Sequence, residues 1–198
     1  MMEHYYSKQP QTESNRHQFD TQIRNIPFKF TTDRGVFSKG DIDFGSRCLI
    51  ESFTLPEVPG NLLDMGCGYG PIGITLARCY SDRHVTMVDI NERAVQLAKE
   101  NTQQNGVQAT VFQSDRFEKV EGMFAAILTN PPIRAGKQVV HSIFREAHGH
   151  LVKGGDLWVV IQKKQGAPSA LKYLEEIYDD VTTVKRNKGY YIFQAKKL

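Results

Sequence analysis

The chain has 198 residues, is 40% hydrophobic and carries a formal net charge of +3, enough apolar material for one buried core and too little charge to hold nucleic acid by bulk attraction alone. Its three cysteines (Cys48, Cys67, Cys79) are widely spaced with no Cys-x-x-Cys, so neither a zinc site nor a disulfide framework is indicated and no metal is expected. No apolar run reaches the ~18 residues of a membrane span, and Met1-Met2-Glu3-His4-Tyr5-Tyr6 lacks a signal-peptide core, which predicts a cytoplasmic protein.

In chain order, residues 1–20 are polar and are expected to be loosely held. Gln22 to Thr32 alternates around Asn25-Ile26-Pro27, the pattern of a short hairpin. A helix is predicted from about Asp43 to Thr54, ended by Pro56 and Pro59. From Gly60 strands and helices alternate. The strand at Asn61 runs into a glycine-rich turn and a helix from Pro71. The strand His84–Asp89 precedes a helix from Asn91 to Asn105 with Gly106 as its stop. A strand from Val107 to Gln113 ends at Ser114-Asp115-Arg116-Phe117, and Phe124-Ala125-Ala126-Ile127-Leu128 leads to Asn130-Pro131-Pro132-Ile133. Then come a helix from Gln138 to Leu151, Lys153-Gly154-Gly155, a strand from Leu157 to Gln162 and a helix from Pro168 to Tyr178. Two closing strands, around Asp180–Lys185 and Tyr190–Ala195, are joined by Arg186-Asn187-Lys188-Gly189 as an antiparallel hairpin. Such alternation predicts an α/β fold with a mostly parallel sheet covered on both faces. Residues 1–59 read as an N-terminal extension packed on a domain at 60–198, one structural unit overall.

The strand ends carry the chemistry. Asn61-Leu62-Leu63-Asp64-Met65-Gly66-Cys67-Gly68-Tyr69-Gly70 is a strand entering a glycine turn, where the backbone can approach a ligand and a helix N-terminus offers free N–H groups. Pro71 stands where the dinucleotide fingerprint needs its third glycine. Asp64 would set an anion against a pyrophosphate and instead suits a ligand with an ammonium group, as in S-adenosylmethionine (SAM). Asp89, about twenty residues further on, can accept from ribose hydroxyls in either kind of nucleoside. Asp115 can accept from an adenine amino group or cap a turn, and Ile90 and Phe117 are candidates to sandwich the ring. In Asn130-Pro131-Pro132 the prolines remove donors, so acceptors dominate that strand tip. Asn-Pro is also a turn opener, but an edge of acceptors suits a planar exocyclic amino group. The Asn130 side-chain oxygen and the Pro131 carbonyl would hold its two N–H bonds.

With these motifs, the sequence resembles the class I SAM-dependent methyltransferases. More narrowly, it resembles the small-subunit ribosomal RNA guanine-N2 methyltransferases, the RsmC-like family. The resemblance covers Thr31 to Leu198 and rests on Gly35-Val36-Phe37-Ser38, Asp43-x-Gly45-Ser46, Leu63 to Gly70, Val88-Asp89 and Asn130-Pro131-Pro132. It implies a three-layer Rossmann-like α/β/α fold whose seven-stranded sheet ends in an antiparallel hairpin. It also implies SAM as methyl donor and S-adenosylhomocysteine as product. Phe37, Asp64, Gly66, Gly68, Gly70, Asp89, Ile90, Asp115 and Asn130 are then the cofactor residues, and Asn130, Pro131 and Pro132 the catalytic ones. Asn-Pro-Pro also occurs in enzymes that methylate adenine N6 or a glutamine amide, so those substrates stay open. Such enzymes usually follow it with an aromatic residue, whereas Ile133 stands here and the base-stacking partner is not identified. Longer members of the family resemble two tandem domains, the first degenerate, and this sequence reads as the catalytic one alone.

Charge is read locally. Arg34 and Lys39 flank Val36-Phe37-Ser38, Arg134 and Lys137 follow Ile133, and Lys163-Lys164 follow a strand end. All six, with Ile133, are expected at the rim where strand carboxyl ends open, facing RNA of the small ribosomal subunit. Lys185, Arg186, Lys188, Lys196 and Lys197 form a fourth group, either at that rim or on a solvated face. His141, His148 and His150 read as surface or capping residues. Two rivals stand beside a methyltransferase. A nicotinamide-dependent oxidoreductase is disfavoured by Pro71, Asp64 and Asn-Pro-Pro. A non-enzymatic RNA-binding factor on the same scaffold would show eroded motifs, and here they stand intact.

Overall fold

A computed structural model describes residues 13–36 and 40–198, and every structural statement below concerns those residues. β1 (His17–Ile23) and β2 (Ile26–Thr32) form a separate antiparallel hairpin, followed by α1 (Phe44–Ser52). The remaining elements are β3 (Asn61–Met65), α2 (Pro71–Cys79), β4 (Val85–Asp89), α3 (Glu92–Gln104), β5 (Thr110–Gln113), β6 (Phe124–Thr129) and α4 (Lys137–His150). They continue with β7 (Leu151–Gln162), α5 (Ala167–Ile177), β8 (Asp180–Asn187) and β9 (Tyr190–Lys196). The sheet order is β5-β4-β3-β6-β7-β9-β8; the first five strands are mutually parallel and β9 runs antiparallel to both neighbours. This is the Rossmann-like arrangement that the alternation implied.

Period-2 alternation divides the core into two layers. Leu62, Val85, Met87, Ala126, Leu128, Trp158 and Ile192 face α1, α2, α3 and the β1–β2 hairpin. Their neighbours Leu63, Val88, Ile127, Leu157, Val159 and Phe193 face α4 and α5. Strands buried on both faces explain why β6 reads as an unbroken apolar run.

The N-terminal hairpin is pinned by polar groups as well as by Phe28 and Phe30. Asn101 of α3 accepts from Thr31 N at 2.8 Å and donates to Thr31 O at 2.9 Å, and Asn105 does the same for Lys29 at 3.1 and 2.8 Å. Spaced four apart on one helix face, these amides take up the free edge of β2. Arg24 and Asn25 both have positive φ (50° and 62°), so the turn is a two-residue one centred on them and Pro27 belongs to β2. Arg24 also donates to Ile50 O and Phe53 O, satisfying carbonyls at the end of α1.

Three boundaries differ from expectation. β1 begins at His17, inside the stretch read as loosely held, because pairing uses the backbone and does not require apolar side chains. β5 begins at Thr110 and not at Val107. β7 begins at Leu151 and not at Leu157, with Lys153-Gly154-Gly155 inside it. The register against β6 shifts between Phe124–Leu151 and Ala126–Asp156, so the glycine pair marks a bulge and not a break. A Cβ on Gly155 would lie 2.8 Å from Ala125 O and 3.0 Å from Val152 O.

Candidate functional site

A cavity of about 500 Å³ opens at the carboxyl ends of β3, β4 and β6 and the loop after β5. Gly66 and Gly68 lie in it with φ of 77° and 56°, the left-handed region that favours glycine, and open space stands where their Cβ atoms would be. Gly73 plays a different part: its missing side chain makes room for the Met87 thioether and brings its N–H to Asp64 Oδ2 at 2.8 Å. Asp89 closes the opposite wall. Its Oδ2 accepts from Gly68 N at 2.8 Å and its Oδ1 from Asn91 N at 2.9 Å. Burial raises its pKa, opposed by these N–H groups.

Asp64 requires a correction. Its side chain is fully buried, contributes nothing to the cavity wall and faces the first turn of α2, with Oδ1 unpartnered. Burial pushes its pKa up to about 7, with the Gly73 N–H pulling it down and the Asp89 charge pushing further up. Direct contact with a ligand's ammonium group, the expected role, is not what this geometry offers. Phe117 is likewise elsewhere: its ring is buried and stacks on His150 with centroids 4.8 Å apart. Ile90 and Asp115 do line the cavity, and one Asp115 oxygen accepts from Arg116 Nε at 3.1 Å.

At the tip of β6, Asn130 Nδ2 donates to Ser46 Oγ at 3.1 Å and to Asp43 Oδ1 at 3.3 Å. An amide whose nitrogen is committed to a hydroxyl and a carboxylate turns its carbonyl oxygen the other way. Asp43 is the N-cap of α1, accepting from Ser46 N at 2.9 Å, and burial raises its pKa against the bonds from Ser46 and Asn130. Sequence reasoning singled out Asp43-x-Gly45-Ser46 but gave it no role; a capping residue followed three positions later by the serine it caps was the available signal. Gly45 is small because a Cβ there would meet Tyr190 Cε1 at 2.8 Å and Asp43 Oδ1 at 3.1 Å.

Of the other expected site residues, Pro132 lines the cavity, Pro131 and Gly70 are buried between chain neighbours that line it, and Ile133 is partly buried against the core on the α4–α5 side. Arg34, Arg134, Lys137, Lys163 and Lys164 are exposed. Phe37 and Lys39 fall outside the described residues. Sequence reasoning missed the wall supplied by Val139, Ser142 and Ile143 of α4, and Arg116, which reaches Ser142 Oγ at 2.8 Å and Glu146 at 3.3 Å. His141 and His148 pack on rings, His141 stacked on Tyr173 at 3.8 Å and His148 edge-on to Tyr178 at 5.1 Å, while His150 at the end of α4 makes an exposed hydrogen bond to Gly122 O, as expected of a surface residue. The fourth basic group divides. Gln162 pairs with Tyr190, which puts Lys188 at the cavity end of the sheet. Lys196 pairs with Asp156, and Lys197 Nζ binds His148 O and Leu151 O, at the far end.

Comparison with known proteins fits this architecture. Residues 27–194 match the methyltransferase small domain family. The chain belongs to that family. Over its whole length it is 56% identical to the uncharacterized protein YbxB of Bacillus subtilis, all of which it covers. It is 34% identical to ribosomal RNA small subunit methyltransferase C of Pseudomonas fluorescens, over 91% of this chain and 54% of that one. Among solved structures, the 16S rRNA N2 G1207 methyltransferase (RsmC) of T. thermophilus, in complex with AdoMet and guanosine, superposes with a TM-score of 0.82 at 25% identity. That match covers 96% of this chain and 52% of the other. The chain thus spans about half the length of these methyltransferase C relatives. No helix among the described residues is long and apolar enough to cross a membrane.

Proposed function

We propose that this protein transfers a methyl group from SAM to the exocyclic N2 amino group of a guanine in small-subunit rRNA. The observation that carries the reading is the place of Asn130 on the cavity wall, held through its nitrogen by Ser46 and Asp43 so that its side-chain oxygen is not spent on them. The family match and the similarity to the methyltransferase C enzymes support it. Methylation of adenine N6 or of a glutamine amide is the second reading, since both targets also present a planar N–H pair.

The cavity fits the cofactor. Gly66 and Gly68 leave room for close approach, Asp89 offers carboxylate lone pairs to ribose hydroxyls, and Ile90 and Asp115 bracket a place for the adenine. When bound, SAM supplies an electrophilic methyl on a sulfonium. The protein supplies position. A guanine leaves its stack to enter the pocket, as base-modifying enzymes require. Asn130 Oδ1 and the Pro131 carbonyl accept its two N–H bonds, which aims the nitrogen lone pair and favours loss of planarity during attack. Catalysis is then orientation and desolvation, without a covalent protein intermediate. Asp43 and Ser46 are positioning residues that keep Asn130 from flipping. The reading is tested in cells by comparing nucleosides from small-subunit rRNA with and without this protein: loss of one N2-methylguanosine supports it, and an unchanged nucleoside set overturns it.

A further inference from the structure

A planar target base needs a face to lie on, and the position that usually provides one after Asn-Pro-Pro does not. Ile133 is aliphatic and packs towards the core on the α4–α5 side. At the start of α1, next to the Asp43 and Ser46 that hold Asn130, the structure assembles two rings from distant parts of the chain. Phe44 opens α1, directly after Asp43, and Tyr190 opens β9. Their centroids are 5.5 Å apart with planes inclined by 50°. Both are half-buried. Tyr190 lies against Gly45, one residue from the Ser46 hydroxyl that holds Asn130. Lys188, exposed in the β8–β9 turn, places Nζ 4.9 Å from the centre of the Phe44 ring.

This cluster is held in place. Gly189 O accepts from Lys163 N at 2.8 Å, tying the turn to the end of β7, and the Gln162 side chain bonds the Tyr190 hydroxyl. The turn therefore sits at the same end of the sheet as Asn130 and carries Lys188 to the Phe44 ring. We propose that Phe44, Tyr190 and Lys188 form the platform on which a base of the substrate RNA stacks beside Asn130, replacing the aromatic residue missing at position 133. Aromatic rings accept any base by its π-face, and a neighbouring cation holds the adjoining phosphate. An exposed lysine over a half-buried ring makes a cation–π contact of about 0.5–1 kcal/mol, which a base displaces at little cost, freeing the ammonium for phosphate. The platform rests on the reading of this protein as an RNA methyltransferase.

The test is binding of a fluorescein-labelled single-stranded RNA oligonucleotide containing guanosine, followed by anisotropy with S-adenosylhomocysteine present, alongside methyl transfer to small-subunit rRNA. Phe44→Leu and Tyr190→Leu should each weaken RNA binding by about 10-fold or more, with SAM affinity within about twofold of wild type. Phe44→Trp should bind RNA like wild type because the ring is kept. Lys188→Ala, at an exposed position, should lower the salt slope of binding by about one. The platform is overturned if folded leucine variants bind RNA as wild type does, if Phe44→Trp fails as Phe44→Leu does, or if Lys188→Ala leaves the slope unchanged. Should the leucine variants not fold, Phe44→Trp and Lys188→Ala still decide. Wild-type protein that methylates rRNA while these variants behave normally sinks the platform alone; wild-type protein that modifies no RNA sinks the functional reading beneath it.

Discussion

Asn130 and Asp89 stand at two strand ends of one cavity, and they should fail differently. Asn130→Ala removes an acceptor that matters as the amine attacks, so transfer should slow by about 100-fold or more while SAM affinity changes only a few fold. Asp89→Ala should weaken SAM binding by roughly 10-fold, since it loses charge-assisted bonds to hydroxyls. Single-turnover kinetics and calorimetry separate the two, and near-normal turnover by Asn130→Ala would reduce Asn-Pro-Pro to a turn. Asp43→Ser keeps an N-cap but loses the carboxylate that holds Asn130, so it should share the slow transfer in the same single-turnover assay while unfolding like wild type. Asp64 makes a different prediction. Its carboxyl binds its proton more tightly folded than unfolded, because burial lifts its pKa to about 7. Its contribution to stability therefore falls as pH rises from the ordinary carboxylate range towards 7, by an amount on the order of a few kcal/mol. Asp64→Asn should remove that slope, and the gap between variant and wild-type unfolding free energies should move in the variant's favour between pH 5 and about 8. A pH-independent gap would show that Asp64 does not titrate in this way.

At the level of elements, the alternation of strand and helix was legible because each strand of the sheet's centre is apolar on both faces and each βα turn carries its own punctuation. Gly154-Gly155 was misread for a physical reason. A glycine pair is the same signal whether the chain leaves the sheet or bulges within it, and only the β6 register distinguishes them. Two glycines near that junction should respond in opposite ways to alanine. At Gly155 the new Cβ would press on the backbone carbonyls of Ala125 and Val152, for a loss of about 1–3 kcal/mol. At Gly149, inside α4 with nothing within 4 Å, alanine should add roughly 0.5–1 kcal/mol through helix propensity and a stiffer unfolded chain. Denaturant titration of both variants checks the pair, and a neutral Gly155→Ala would mean that β7 slides locally. What the sequence hid was the contact between elements far apart in the chain. Asp43 could be seen as a cap, but its hold on Asn130 crosses 87 positions, and no local pattern encodes that. The burial of Asp64 was hidden in the same way, since it depends on Gly73 leaving room for Met87.

The whole molecule places its basic groups with more order than a net charge of +3 implies. Arg134 and Lys137 flank Ala135, which lines the cavity, and Lys163 is tied to the turn that carries Lys188. Lys196 and Lys197 lie at the opposite end of the sheet. RNA held at the cavity end should therefore bind with a steep salt dependence, of roughly −0.7 to −0.9 per phosphate contact. Replacing Arg134 and Lys137 with alanine should flatten the slope by about one to two units and leave SAM binding intact; an unchanged slope would move the RNA to another face. We also propose that the N-terminal segment and the sheet form one cooperative unit, because Phe28, Phe30 and Leu49 share a core with Leu62 and Trp158. One reaction tests methyl transfer to guanine N2 directly. Purified protein, SAM carrying a labelled methyl group and small-subunit RNA, free or assembled, are incubated together, and the RNA is digested for nucleoside mass spectrometry. Label in N2-methylguanosine, abolished by Asn130→Ala, is the result predicted; label in N6-methyladenosine, or in no nucleoside at all, would contradict it.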